Sequence, residues 1–229
     1  MKTNQEFKSE ARSALNGHWA QAVIATIIFM LLLSALCGPG YASVLNISAG
    51  SPLILPAYVT YGGTLLIVLV LYPLTAGFMN SFRILFETGD NRLSSNMFTV
   101  AFGEGRGWLH LVLGMLLTDV YIFLWSLLLV VPGIIKAFSY AMTPYILVEH
   151  PELGIDEAID KSRDLMRGHK FDYFWLLLSF IGWWVASIIT LGIGFIWLIP
   201  YIQTATAAFY RELKEGKGDN VLEAERRKR

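Results

Sequence analysis

The stretch "VVPGIIKAFSYAMTPY", residues 130–145, lies inside an apolar run that extends from residue 108 to residue 148. A straight helix over that run would be about 60 Å long, roughly twice the hydrocarbon thickness of a bilayer. Pro132 lacks a backbone donor, and Gly133 permits the backbone angles of a tight reversal. The stretch therefore predicts a hairpin of two apolar helices that turns at "VPGI".

The composition of the whole chain is that of a membrane protein. Of the 229 residues, 55% are hydrophobic and only 16% are charged, and the mean hydropathy is +0.51. These values lie outside the usual range for a soluble globular domain. The single cysteine, Cys37, excludes an intrachain disulfide framework.

Six segments are apolar enough to be read as membrane spans, although two of them are short for about 30 Å of hydrocarbon. They are residues 19–36, 62–82, 108–131, 133–148, 171–190 and 193–210. The segment "TLGIG", residues 190–194, predicts a second tight turn between the last two. The uncharged segment 37–61 is expected to be an outer loop that is ordered or lies against the membrane.

The distribution of basic residues predicts the orientation of these spans. With the N-terminus in the cytoplasm, 17 of the 18 Lys and Arg residues lie on the cytoplasmic side, counting Arg83 and Arg211 at inner helix ends. Lys136 is the exception, and its side chain is expected to extend toward the outer surface. The pattern therefore predicts a multi-pass protein of the cell membrane with both termini in the cytoplasm.

The first part of the chain resembles a later part. The segment "EFKSEARSALNGHW", residues 6–19, aligns with "EAIDKSRDLMRGHK", residues 157–170, at a constant offset of 151. The matched pairs are Glu6 with Glu157, Arg12 with Arg163, Gly17 with Gly168 and His18 with His169. Both segments have the pattern of an amphipathic helix that leads into a span. Thr3 and Glu6 also have the spacing of a capping box.

The apolar segments repeat as well. Gly133, Tyr140 and Thr143 align with Gly194, Tyr201 and Thr204 at an offset of 61, and Tyr72 with Thr75 gives a third copy. Chance similarity among Leu-rich helices is the alternative explanation.

The expected fold is an all-α membrane protein with six transmembrane helices as three hairpins, each preceded by a cytoplasmic-face amphipathic helix. This three-fold internal repeat occupies residues 3–86, 95–149 and 154–213 of a single transmembrane domain, residues 1–213. A flexible charged cytoplasmic tail, residues 214–229, follows it.

Several short motifs within residues 132–183 resemble those of a known protein family. They are Pro-Gly-Ile with a nearby Lys (132–136), Ser-Tyr-x-Met (139–142), Glu-x-Pro-Glu (149–152), Ala-Ile-x-x-Ser (158–162), Met-x-Gly (166–168) and Leu-Ser-Phe-Ile-Gly-Trp (178–183). The chain, from its N-terminus to about residue 213, resembles a bacterial integral membrane family catalogued as domain of unknown function nine-seven-five. The resemblance implies a location and a fold, and it carries no established activity.

The polar residues of the spans form a candidate intramembrane site. Its members are Asp119, Tyr72, Thr75, Tyr140, Thr143, Tyr201 and Thr204. A spacing of three places each Tyr and its Thr on one helix face. An acid such as Asp119 is costly within a span, so we expect either a neutral carboxyl bonded to Tyr140 or Thr143 or a role in transport.

A second set of residues is expected to contact anionic headgroups at the inner face of the bilayer. Its members are Arg12, His18, Lys161, Arg163, Arg167, His169 and Lys170. The histidines are expected at headgroup level, and a pH sensor is the alternative. None has the spacing of a metal site, so no metal is predicted. Glu149 and Glu152 flank Pro151 and are interpreted as part of a helix end.

The sequence contains no nucleotide-binding loop, serine-nucleophile motif or paired-carboxylate pattern. We therefore expect no catalytic residue, no cofactor and no nucleic-acid partner. The favoured function is a non-enzymatic, membrane-embedded interaction or assembly component, whose partner is another membrane protein or a second copy of the chain. The alternatives are a small-solute or ion transporter or channel, and an intramembrane enzyme acting on lipid.

Overall fold

The computed structural model describes the backbone of residues 1–48, 57–103 and 107–227, and the side chains of residues 1–36, 68–103 and 107–216. Within these ranges the chain forms α-helices and no strand. The helices are α1 (Asn4–Leu15), α2 (Trp19–Ser48), α3 (Ala57–Thr88), α4 (Leu93–Phe102), α5 (Gly107–Leu128), α6 (Val130–Ser139), α7 (Thr143–Glu149), α8 (Ile155–Leu165), α9 (Lys170–Leu178), α10 (Ile181–Ile189) and α11 (Phe195–Arg227). The prediction of an all-α protein is confirmed.

Five segments are long and apolar enough to cross a membrane. They are Trp19–Leu36, Val68–Thr88, Gly107–Leu128, Val130–Glu149 and Lys170–Ile189. The predicted sixth span, residues 193–210, lies in α11 and is not among them. Pro200, Gln203 and the charged Arg211 that follows reduce the hydropathy of that helix.

Two helices extend into segments that the sequence assigned to irregular structure. The outer loop was expected over residues 37–61, but α2 continues to Ser48 and α3 begins at Ala57. Residues 49–56 lie outside the described part of the chain. The loop segment has no charged residue, and in the helical residues 37–48 and 57–61 intrahelical hydrogen bonds satisfy the backbone without water. Likewise, α11 continues through the expected tail to Arg227, where Glu, Lys, Arg and Ala favour a helix.

Two predicted spans are interrupted helices. Residues 140–142 separate α6 from α7, and Pro144 in the first turn of α7 lacks the amide that a continuous helix would use. The second break lies at Ser179 and Phe180, between α9 and α10. There the Ser179 carbonyl accepts a hydrogen bond from Lys8 Nζ at 2.6 Å, while the Trp183 amide donates to Phe180. A contact from α1 thus accompanies this break.

The turn of the α5–α6 hairpin lies at Leu129, three residues before the predicted Pro132. Pro132 falls in the first turn of α6 instead, a position that tolerates a missing amide. Gly133 has a different role from the one expected, because it lets α6 approach α5. A Cβ atom there would lie 2.1 Å from Ser126 Oγ. The second predicted turn is confirmed, with Leu191 and Gly192 at positive φ.

The core lies among α1, α3, α4, α7, α8 and α11. The first helix packs against the last, α3 against α4, and α7 against α8. Phe7 of α1 and Phe209 of α11 lie 5.4 Å apart between ring centroids, and both are buried. Gly77 of α3 is so close to α4 that a Cβ atom there would lie 2.2 Å from the Met97 carbonyl oxygen.

The ends of the two hairpins carry exposed apolar side chains. In α5 and α6 the exposed residues include Phe123, Leu127, Leu128 and Ile134, with Leu128 69% exposed. In α10 and α11 they include Ile188, Ile189, Ile193 and Trp197, with Ile189 75% exposed. Apolar surface of this extent requires lipid or a protein partner to cover it.

Candidate functional site

Asp119 of α5 forms a hydrogen bond with Tyr72 of α3. Its Oδ2 atom accepts a hydrogen bond from the hydroxyl of Tyr72 at 2.6 Å. The expected donors were Tyr140 and Thr143, so that part of the prediction was wrong. The reason is the packing of α5 against α3 as well as against α7.

Tyr140 lies beside Tyr121 and Lys136. Its ring centroid lies 6.4 Å from that of Tyr121, and the Tyr121 hydroxyl donates to Asp156 Oδ1 of α8 at 3.0 Å. Lys136 Nζ lies 5.8 Å from the Tyr140 ring centroid and 4.4 Å from that of Trp125. Lys136 is also an electrostatic neighbour of Lys170, which the sequence assigned to the opposite face.

Tyr201 contacts α1. Its hydroxyl donates to the carbonyl oxygen of Lys8 at 3.2 Å. Its ring lies 5.1 Å from Phe180 and 6.5 Å from Trp19 between centroids. The guanidinium carbon of Arg12 lies 5.9 Å from the same ring, a geometry that allows a cation–π interaction.

The threonines of the candidate site do not join the three tyrosines. Thr75 donates to the Leu71 carbonyl and Thr204 to the Pro200 carbonyl, each at 2.8 Å within its own helix. Thr143 is buried, and its hydroxyl has no hydrogen-bond partner among the described residues. No hydrogen bond or ring contact within that part of the chain links one Tyr–Thr pair to another. Instead, Tyr72 bonds to Asp119 of α5, Tyr140 lies beside Tyr121 and Lys136, and Tyr201 bonds to Lys8 of α1.

The residues predicted to contact headgroups differ in whether they pair with carboxylates and in how exposed they are. On α8, Arg163 pairs with Asp160 at 3.0 Å and Arg167 with Asp164 at 2.8 Å. His169 Nδ1 lies 3.1 Å from Asp172 Oδ2. Lys161, Lys170 and His18 are half-buried, and His18 Nδ1 has no partner among the described residues. Arg12 is exposed, and no ion pair joins it to a carboxylate of those residues.

Sequence reasoning missed an ion-pair network around Glu149 at the end of α7. Glu149 Oε1 lies 2.7 Å from Arg83 Nη1 of α3 and 2.9 Å from Lys214 Nζ of α11. The Tyr210 hydroxyl donates to Glu149 Oε2. Arg83 also pairs with Glu87 at 2.7 Å. The only signal in the sequence was the spacing of four between Arg83 and Glu87, because the other partners are distant in the chain.

Sequence reasoning also missed a cavity of about 410 Å³ between α1, α2, α10 and α11. Its lining residues are Arg12, Trp19, Trp183, Ala186, Ser187, Thr190, Gly194, Trp197, Leu198 and Tyr201. The hydroxyls of Ser187 and Thr190 donate to carbonyls of their own helix. The walls are therefore apolar and aromatic, and Arg12 is the charged group at one end.

No arrangement for a metal is present in the described ranges. No group of three or more His, Cys, Asp or Glu residues there could hold an ion. The arrangement of Asp119 and Tyr72 is a hydrogen-bonded pair, and that of Glu149 is an ion-pair network.

Comparison with known proteins identifies one family. Residues 127–217 match the family model described as "Protein of unknown function (DUF975)". No curated protein and no solved structure matches the chain. The matched segment begins near the end of α5 and includes both Glu149 and Tyr210. The family that the sequence motifs resemble is therefore confirmed over residues 127–217.

Proposed function

We propose that the chain crosses the bacterial cell membrane six times, as three hairpins with an internal three-fold repeat, and keeps both termini in the cytoplasm. In this topology α11 provides the sixth span, and amphipathic helices precede the hairpins at the inner face. The bias of Lys and Arg, 17 of 18 of which lie on the side assigned to the cytoplasm, supports this orientation.

Two geometric parallels support the repeat. Gly17 follows α1 with φ of +81°, and Gly168 follows α8 with φ of +87°, at the positions that the sequence aligns. The hairpins show the second parallel. A Cβ atom on Gly133 would lie 2.9 Å from Ser126 Cα, and one on Gly194 would lie 2.8 Å from Ser187 Cα. Both members of each Gly–Ser contact are 61 residues from their counterparts, the offset that aligns the hairpins.

Within this topology the protein acts as a non-enzymatic, membrane-embedded interaction or assembly component. The observation that carries this proposal is the separation of the polar groups. Tyr72 and Asp119 bond to each other, and Tyr201 bonds to α1, so these three polar residues join helices. The exposed apolar ends of the hairpins leave surface for a membrane partner or a second copy.

A permeation pathway would require the polar residues to line one common space. Of Asp119 and the three Tyr–Thr pairs, only Tyr201 lines the cavity beside α10 and α11. The charged group of that cavity is Arg12, at one end. These features favour interaction over transport.

Site-specific photo-crosslinking in native membranes tests the proposal. A photoreactive residue is placed at exposed Leu127 or Ile188, and at buried Phe82 as the matched control. We expect one discrete protein adduct from at least one hairpin, identified by mass spectrometry as a second copy or a membrane protein. Adducts with lipid alone at both exposed positions would contradict the proposal.

A further inference from the structure

The cavity beside α10 and α11 has a polarity gradient along its length. At one end lie the α10–α11 turn residues, including Thr190 and Gly194, and at the other lies Arg12 of α1. Tyr201 lies seven positions after Gly194, which corresponds to about 10 Å of helix. A ligand that fits this space must therefore be apolar along most of its length and anionic at the α1 end.

Two cations lie at or near the α1 end. Arg12 lines the cavity, and Lys8, one helical turn earlier on α1, lies next to it outside the lining. Each lies beside a different ring of the adjacent pair Phe180 and Tyr201. Lys8 Nζ lies 4.3 Å from the Phe180 ring centroid, and Arg12 lies beside Tyr201. Neither forms an ion pair with a carboxylate of the described residues. Burial, followed by the nearby charge of Arg12, lowers the pKa of Lys8, as expected for neighbouring cations without an anion.

The corresponding arginine of α8 provides an internal contrast. Arg163, which aligns with Arg12, already pairs with Asp160 at 3.0 Å. Lys8 uses one donor on the Ser179 carbonyl, so two of its three donors remain for a ligand. Arg12 has five donors in a planar fork that suits a phosphate group. Among the described residues, Arg12 therefore lacks the ion pair that its counterpart on α8 has.

We propose that this cavity binds a single anionic phospholipid, with its phosphate at Arg12 and Lys8 and an acyl chain along the groove between α10 and α11. The volume of about 410 Å³ lies within the usual range of ligand pockets, about 300–1,000 Å³. Trp183 and Trp197, each about half exposed, form the open walls, where indole rings suit the boundary between lipid and water. The site is independent of any protein partner.

Native mass spectrometry of the full-length protein in detergent tests this site. The protein is titrated with phosphatidylglycerol or with phosphatidylcholine of the same acyl chains. We expect the first phosphatidylglycerol to bind at least about ten-fold more tightly than phosphatidylcholine, because the choline cation of phosphatidylcholine offsets the charge of its phosphate next to Arg12 and Lys8. Equal affinities for the two lipids would overturn the proposal.

Three variants separate the headgroup from the chain. Arg12→Gln should weaken the first phosphatidylglycerol about ten-fold, whereas Arg163→Gln, the matched control on α8, should leave it unchanged. Ala186→Trp, which fills the groove without changing charge, should also weaken binding. Equal losses in Arg12→Gln and Arg163→Gln would indicate general surface attraction and overturn the site.

Two further measurements make the result decisive. Soluble glycerol phosphate, which has an anionic phosphate group without the acyl chains, should not displace the lipid at matched concentration. Displacement at lipid-like affinity, or an unchanged affinity in Ala186→Trp, would contradict occupation of the groove by an acyl chain. Arg12 and Ala186 are exposed, so the melting temperatures of both variants should stay near that of the wild type.

Discussion

Tyr72 donates its hydroxyl to Asp119 at 2.6 Å and thereby joins α3 to α5. The bond gives the carboxyl group of Asp119 a partner inside the protein, in a helix whose other residues are mostly apolar. A polar residue of a span that is bonded in this way serves helix packing, because leaving it without a partner in hydrocarbon is costly.

Removal of this bond should lower stability. Tyr72→Phe leaves the acceptor without its donor and should reduce the free energy of unfolding by about 1 kcal/mol. Tyr121→Phe removes a longer Tyr–Asp bond, 3.0 Å, whose acceptor Asp156 lies on the polar helix α8, and should change it by less than about 0.5 kcal/mol. Denaturation by sodium dodecyl sulfate, followed by tryptophan fluorescence, measures both. Equal effects would contradict a structural role for the Tyr72–Asp119 bond.

The close contacts in the two hairpins predict that a methyl group added to either glycine lowers stability. Gly133→Ala and Gly194→Ala each place a methyl group within 3 Å of a serine Cα, so each should cost about 1–3 kcal/mol. Gly182→Ala is the control, because nothing lies within 4 Å of the added atom and alanine favours a helix. Thermal unfolding in detergent measures the three. No loss in Gly133→Ala and Gly194→Ala would contradict the hairpin packing.

Substitution of the glycines in the turns after α1 and α8 should lower the free energy of unfolding by equal amounts. Gly17→Ala and Gly168→Ala place a side chain at positive φ but in open space, so the penalty is conformational and about 1–2 kcal/mol in each. Similar losses in the two variants, measured by the same unfolding assay, would support equivalent repeat units. A loss in one variant alone would argue against them.

Removal of the Glu149 charge should lower the free energy of unfolding more than removal of an exposed carboxylate charge. Glu149→Gln removes the charge that Arg83 and Lys214 share, in a carboxylate whose side chain is only 12% exposed. The loss should be about 2–3 kcal/mol, because among the described residues the largely buried Arg83 keeps only Glu87 as an ionic partner and Lys214 loses its own. Glu152→Gln alters an exposed carboxylate next to His150 and should cost about 0–1 kcal/mol. Similar unfolding midpoints for the two would contradict a stabilising network.

Local features of the chain were predictable because they depend on neighbouring residues. The capping box of Thr3 and Glu6 is confirmed, with Glu6 Oε2 2.6 Å from the Thr3 amide. In α8, Ala158, Ile159, Ser162 and Leu165 are buried at helical spacing, as the amphipathic pattern of residues 157–170 indicates. Both follow from periodicity and spacing along one helix.

Distant contacts could not be predicted in the same way. The break between α9 and α10 accompanies a bond from Lys8, 171 residues away. The partner of Asp119 depends on the packing of α5 against α3, which no spacing encodes. The turn at Leu129 shows a further limit, because Pro132 and Gly133 were read as the reversal itself when they begin the next helix.

The central claim is that the polar residues of the spans join helices and do not form a path for solutes. Ion and proton flux through proteoliposomes, compared between wild type and Asp119→Asn, tests it most directly, because asparagine can still accept the bond from Tyr72. We predict that both proteins leave the flux at the level of protein-free liposomes. Flux through the wild-type protein that Asp119→Asn abolishes would contradict the claim.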